Sequence, residues 1–434
     1  MHASFAIILL LLLLGLGIPV AWSFAGMLGY LVFVYDANLN TLMLQGFRSL
    51  NSVVLLALPL FIMAGYLMQA GGVASRLIAL IEQLVKGRRG GIGATMVLAC
   101  GVFGAIAGTA TAAVASVGTI MTEPMHKQGY PRPYIAALLG MSSLLGILIP
   151  PSVTMILFAV VTQQSVAAAF AASIGPGILL VIGLIIYNYL AAGAFAPSSA
   201  AQAARENKKN GFSQAARLFF FALPALSMPV LILGGIYGGV FTPTEAAAIT
   251  VFLAVLIGFF IYRDLTLRSF KQCLLNTAET TGIIVLILLF SFLIGRILVA
   301  EGVPQDLTTA VTSWVQSPIA ILLLVNLFLV LVGMVIDDVS LTVVIAPLLL
   351  PLVAVADVSP IHFAAIVASS VVAGANSPPM APVLYMSCRI TNVTVHYSFG
   401  HALRLLLFVA VPVQLITTFV PAVSLAIPKA LGFL

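Results

Sequence analysis

Charge is what this sequence is shortest of relative to a soluble protein. Acidic and basic residues together fill 7% of 434 positions, while hydrophobic residues fill 62%. Soluble domains carry about 25% charged residues, so this chain cannot cover itself with a water-facing surface. Cysteine is scarcer still. Cys100, Cys273 and Cys388 stand singly in apolar surroundings, which excludes a disulfide framework or a cysteine-based zinc site. His126, His362, His396 and His401 stand apart with no His-Glu-x-x-His, which argues against a zinc peptidase. No glycine-rich loop ends in Lys-Ser or Lys-Thr, so ATP does not power the chain directly. The 18 Lys and Arg give a formal charge of +6 but are scattered among loops without interleaved aromatics, which excludes nucleic acid as a partner. Asp337 and Asp338 are adjacent, and the first half offers no matching Asp, so an intramembrane aspartyl protease lacks its two facing acids. The chain reads as no enzyme.

What is present is a series of apolar runs, each about 20 residues long and enough to cross a bilayer. The fold class is an all-α polytopic membrane protein. Near the N-terminus, "AIILLLLLLGLG" has the look of a signal-peptide core. No Lys or Arg precedes it, and the apolar pattern continues through "IPVAWSFAGMLGYLVFVY", so it reads as a retained first transmembrane helix. With the N-terminus outside and three spans ending near Gly71, Lys86, Arg88, Arg89, Lys127, Arg132, Arg205, Lys208, Lys209, Arg217, Arg263, Arg268, Lys271, Arg389 and Arg404 fall in the cytoplasm. Only Arg48, Arg296 and Lys429 fall on or near the other side, the asymmetry that the positive-inside rule expects. This topology requires the segments near 91–126 and 317–355 to enter and leave on one side.

The sequence repeats itself. "GYLMQAGGVASRL" (65–77) matches "GRILVAEGVPQDL" (295–307), with Gly65, Gly72, Val73 and Leu77 meeting Gly295, Gly302, Val303 and Leu307 at an offset of 230. Gly104 meets Gly333 at 229, and Pro150-Pro151 meet Pro378-Pro379 at 228. Two similar halves follow, 1–193 and 218–434, joined by the polar stretch 194–217 that reads as a cytoplasmic linker. An odd number of crossings between equivalent points makes the halves inverted repeats, the pattern that marks a secondary transporter's binding site when helices are interrupted at matching positions.

Each Pro-Pro pair removes backbone donors and frees carbonyl oxygens. In hydrocarbon such groups persist only when protein, water or an ion satisfies them. A lone break reads most simply as a kink relieved by a neighbouring helix; duplication at one place in both halves favours a binding role, with sodium, a hard cation, as occupant. "GVFGAIAGTATAAVASVGTI" (101–120) and "GMVIDDVSLTVVIAPLLLP" (333–351) read as re-entrant hairpins with polar tips. Small-residue helix packing for the first, and a water-exposed turn for the second, are the plainer alternatives.

"LGGIYGGVFTPTEAAA" (233–248) resembles the signature of the large membrane (permease) subunit of tripartite ATP-independent periplasmic (TRAP) transporters, and the hairpin, Pro-Pro and linker pattern is similar over essentially the whole chain. The resemblance implies an elevator-type transporter with scaffold helices, an arm helix in each half, and a mobile part carrying both hairpins. It implies residence in a bacterial or archaeal cytoplasmic membrane among membrane lipid, with a small four-helix membrane subunit and a periplasmic substrate-binding protein as partners. The substrate would be an organic acid such as a C4-dicarboxylate or sialic acid, with sodium as coupling ion and no other cofactor. A family sodium site, built around a hairpin glycine and a Gly-x-x-Thr-Pro-Pro-like break, corresponds here to Gly333, Gly374, Ser377 and Met380, with Ser keeping the hydroxyl of Thr. Subtracting the repeat offset places a second sodium site at Gly104, Gly146 and Ser152. Between them a substrate pocket is expected near Thr109, Thr111, Asn376 and the Asp337-Asp338 pair. The first hairpin departs from the Ser-rich family tip, carrying Ala107-Gly108-Thr109-Ala110-Thr111 instead. A stand-alone sodium-carboxylate symporter of similar architecture is the nearer rival; a membrane-embedded enzyme is the remote one.

Overall fold

The computed structural model describes residues 2–85, 90–195, 211–377 and 381–434, and among them every regular element is helical. The first half runs α1 (His2–Gly15), α2 (Val20–Val34), α3 (Leu39–Leu50), α4 (Ala57–Ala70), α5 (Val73–Val85), α6 (Gly91–Ala107), α7 (Ala110–Lys127), α8 (Arg132–Ser143), α9 (Leu145–Leu148), α10 (Val153–Val161) and α11 (Val166–Phe195). The second half runs α12 (Gly211–Tyr237), α13 (Pro243–Leu256), α14 (Leu267–Ala300), α15 (Val303–Trp314), α16 (Pro318–Gly333), α17 (Asp338–Ser340), α18 (Ala346–Val355), α19 (Pro360–Ala375), α20 (Pro382–Thr391), α21 (Val395–Leu405), α22 (Val411–Phe419) and α23 (Pro421–Ala430). Wider π turns bridge α17 to α18 and α21 to α22.

Seven of these helical stretches are long and apolar enough to cross a membrane, and α8–α9 with α10, bent by 44° at a short break, bring the number to eight when counted together as one broken span. The bend falls at Ile149–Ser152, where the adjacent prolines withhold two N–H groups and the chain leaves the helix. The expected cytoplasmic cations Lys86, Arg88, Arg89, Arg205, Lys208 and Lys209, and the second break's Pro378, Pro379 and Met380, lie outside the described residues.

The order of helical elements recurs at the repeat offset. Arm helices α5 and α15 each start just after a left-handed glycine, Gly72 and Gly302, 230 positions apart. Hairpin α6–α7 corresponds to α16–α18, and the broken helix α8–α10 to α19–α20. The halves differ where α14 runs unbroken for 34 residues, because the first half interrupts the same stretch at Asn51-Ser52 between α3 and α4. The broken helices cross-pack, α8 lying on α20 and α10 on α19, while α11 and α23 cover their flank.

Buried polar ties fix this arrangement. The Tyr134 hydroxyl donates to Asn188 Oδ1 at 3.2 Å, and His362 Nε2 donates to the Thr417 carbonyl at 2.9 Å. The two pairs stand at equivalent positions of the two halves. Gln414 Nε2 donates to Asn326 Oδ1 (2.8 Å) and Ser370 Oγ (2.9 Å), joining α16, α19 and α22. Each bond spares a buried polar group the roughly 1–3 kcal/mol it would lose unpaired. Arg132 pairs with Glu123 and also donates to the Thr391 carbonyl at 3.1 Å, tying α7, α8 and the end of α20 together.

The signature stretch 233–248 runs from the end of α12 into the start of α13. Thr242 caps α13 by accepting from Glu245 N at 3.3 Å, Glu245 Oε2 returns to Thr242 N at 2.8 Å, and Pro243 takes the first helical position. Thr244 Oγ1 then donates to the Val53 carbonyl at 3.0 Å, pinning this start to the first half.

Candidate transport site

The first hairpin closes at Gly108, whose left-handed backbone (φ +67°) ends α6 with its N–H on the Gly104 carbonyl at 2.8 Å. The Gly108 carbonyl accepts from Val153 N at 3.2 Å, satisfying a donor at the buried start of α10. A side chain at Gly108 would lie 2.8 Å from the Pro151 carbonyl oxygen, so the tip sits directly on the Pro-Pro break. Ser152 caps α10 by accepting from Met155 N at 3.4 Å. Behind the tip, a Cβ on Gly104 would lie 2.6 Å from Gly146 Cα, and one on Gly146 would lie 2.9 Å from the Thr109 carbonyl oxygen. All three residues of the sodium site expected in the first half, Gly104, Gly146 and Ser152, therefore surround one hairpin-on-break contact. In that contact the glycines face backbone.

The second half builds the same contact from its equivalent residues. A Cβ on Gly374 would lie 2.6 Å from Gly333 C and 2.9 Å from its oxygen. The Gly374 carbonyl accepts from both Asn376 N and Ser377 N, so its lone pairs are spent closing α19. Ser377 Oγ donates back to the Ala373 carbonyl. Other oxygens are left over. Asp337 caps α17 through Oδ2, which accepts from Ser340 N at 3.3 Å, while its Oδ1 has no hydrogen-bond partner. Ser340 Oγ, Thr342 Oγ1 and both polar atoms of the Asn376 side chain are likewise buried without one. Asp338 Oδ2 accepts from Thr154 Oγ1 at 2.7 Å, joining the second hairpin to the first broken helix. No Lys or Arg pairs with either Asp among the described residues, where the ion pairs are Arg76–Asp264 and Arg132–Glu123.

The five expected substrate contacts are distributed over separate environments. The Thr109 carbonyl faces Gly146; Thr111 is exposed; Asp337 and Asp338 are half-buried at the second tip. Asn376 is 0% exposed, and a Cβ on Gly140 would lie 2.6 Å from its Oδ1, so its carboxamide is sealed against α8. Thr154 and Gly140 were not among the expected residues. For Thr154 the available signal was a hydroxyl two positions beyond the Pro-Pro-Ser break. For Gly140 there was none, since its role is to leave room.

Paired hairpins seated on paired helix breaks, buried in an apolar helical protein, make up the architecture of a membrane transporter built from repeats. Comparison with known proteins gives the family. Residues 7–423 match the model described as the tripartite ATP-independent periplasmic transporter, DctM component, and the chain belongs to that family of TRAP large permeases. It is 34% identical over 408 residues to the C4-dicarboxylate TRAP transporter large permease protein DctM of Pseudomonas aeruginosa, covering 94% of this chain and 93% of that one. It is 29% identical to the sialic acid TRAP transporter large permease protein SiaM of Vibrio cholerae, covering 96% of each. The isethionate TRAP transporter permease protein DctMQ of Oleidesulfovibrio alaskensis is 30% identical, and the match spans 95% of this chain but 64% of that longer protein. In fold, the chain resembles the YdaH transporter of Alcanivorax borkumensis, with a TM-score of 0.61, 14% identity and 89% of each chain covered.

Proposed function

We propose that this permease couples uptake of an organic acid to sodium across a bacterial or archaeal inner membrane, with its N-terminus periplasmic. A small four-helix membrane subunit and a periplasmic substrate-binding protein complete the system. The hairpins and broken helices move as a unit against the scaffold, carrying substrate from one face to the other by an elevator displacement.

The observation that carries this reading is the recurrence of one contact: Gly104 on Gly146, and Gly333 on Gly374, each bringing a hairpin tip to a helix break. Sodium, as cargo, suits the unpartnered oxygens of Asp337, Ser340, Thr342 and Asn376, because a hard cation takes carboxylate, hydroxyl and amide oxygen. The glycine pairs let the backbones of hairpin and break approach closely, and Ser152 and Ser377 stand beside those contacts; Met380, carried over from the family pattern, lies outside the described residues. The starts of α10 and α20 favour a negative charge by their dipoles, which suits a carboxylate lying near Thr109 and Thr111. Two of the relatives reported above are named for carboxylates, a C4-dicarboxylate and sialic acid, and the third for the sulfonate isethionate, which supports an organic anion as the substrate class.

The test is reconstitution into liposomes with both partners, followed by uptake of radiolabelled organic acids under an inward sodium gradient and an equal potassium gradient. Uptake that requires sodium and the binding protein is the expected result. Robust sodium-driven uptake by the purified chain alone would establish the stand-alone symporter instead.

A further inference from the structure

The two arm helices leave equivalent glycines and enter different surroundings. Gly72 and Gly302 share a left-handed backbone, φ +72° and +69°, immediately before α5 and α15. At Gly302 an added Cβ would meet nothing within 4 Å. At Gly72 it would lie 2.1 Å from Asp264 Oδ2 and 2.4 Å from Arg76 Nη1. Arg76 folds back over this joint: its Nη1 donates to the Gly72 carbonyl at 2.8 Å and to Asp264 Oδ2 at 2.6 Å. Its guanidinium lies 4.0 Å from the centre of the Tyr262 ring, a cation–π contact.

Tyr262 extends the connection into α12. Its hydroxyl donates to the Phe221 carbonyl at 2.9 Å and accepts from Ala225 N at 3.2 Å, bridging two groups that an uninterrupted helix joins directly. Pro224 lies between them and already lacks a donor, so the side chain is inserted where the helix ladder is weakest. One residue before the joint, a Cβ on Gly71 would lie 3.2 Å from Gly258 Cα, so backbone meets backbone there too. The position equivalent to Arg76 in the second arm is Asp306, which cannot donate and forms no ion pair among the described residues. Helix α5 packs along α12 as well as on hairpin helix α6, whereas α15 packs on hairpin helix α18 and on α14.

We propose that Arg76, Tyr262 and Asp264 are positioning residues that anchor the first arm to the scaffold, so that displacement of the hairpins is taken up at Gly302 in the second arm. This rests on the elevator reading above. Two backbones of the same conformation have opposite mechanical roles, because only one is clasped by a charged, two-point hydrogen bond and a stacked ring.

Spin-label distances in the reconstituted transporter with its membrane partner test it. One pair of cysteines at Leu84 and Phe220 reports on α5 against α12, and another at Trp314 and Ile283 reports on α15 against α14; all four positions are exposed. The first pair is expected to give one narrow distance, unchanged between sodium chloride and potassium chloride, while the second shifts or broadens. Arg76→Gln and Tyr262→Phe are expected to broaden the first distance, and the swap Arg76→Asp with Asp264→Arg to narrow it again. A first-pair distance that shifts with sodium as far as the second, or that Arg76→Gln leaves unchanged, overturns the anchor. If neither pair responds to sodium, the sodium reading has failed, and the Arg76→Gln comparison in potassium alone decides the anchor.

Discussion

Gly333 and Gly374 meet with no room for a side chain on Gly374, whose Cβ would fall 2.6 Å from the Gly333 carbonyl carbon; Gly104 and Gly146 repeat the meeting in the first half, again at 2.6 Å. The neighbour in each case is backbone, which cannot rotate out of the way as a side chain can. Gly104→Ala and Gly374→Ala should therefore lower stability by about 1–3 kcal/mol through overpacking. Gly295→Ala, with nothing within 4 Å of its Cβ, should be neutral or gain roughly 0.5–1 kcal/mol. Thermal unfolding in detergent checks all three, and equal effects at Gly295 and Gly374 would contradict the close-contact account.

The Thr154–Asp338 hydrogen bond, 2.7 Å long, is the direct link between the first broken helix and the second hairpin tip. Removing one partner of a buried hydrogen bond and leaving the other unpaired costs about 1–3 kcal/mol. Thr154→Val should reduce sodium-driven uptake roughly tenfold or more, since about 1.4 kcal/mol corresponds to a factor of ten. Thr154→Ser should retain most of it. Uptake assays in liposomes decide, and an active Thr154→Val would remove this link from the mechanism.

Thr242 belongs to the capping box that starts α13. Thr242→Ala should cost about 1 kcal/mol of stability. The sodium and substrate concentrations giving half-maximal uptake should stay as they are. A change in either constant would mean that this stretch takes part in transport as well as in folding.

The cation distribution predicts a membrane sidedness that labelling can check. A cysteine at Lys208 should react with an impermeant maleimide only from the cytoplasmic side, and one at Thr242 only from the periplasm. Native Cys100, Cys273 and Cys388 are buried, so background labelling should be low. Periplasmic labelling at 208 would defeat the inverted-repeat topology.

Much of the architecture was written along the chain. Scarce charge and long apolar runs specify a membrane protein because hydrocarbon leaves backbone groups no partner but one another. Pro150-Pro151 fixes the first break by chemistry local to those residues, and the offsets of 228 to 230 identify Gly72 with Gly302 and Gly104 with Gly333 before any contact is known. Composition and periodicity are local or repeated properties, so a linear sequence can express them. What each residue touches is neither. Only folding brings Thr154 to Asp338 across 184 positions, seals Asn376 against Gly140, and spends the Gly374 carbonyl on its own helix end. The sequence presents Gly72 and Gly302 as equals; the tertiary structure makes one a clasped joint and the other an open one, because Asp264 and Tyr262 reach Arg76 from nearly 190 residues away along the chain.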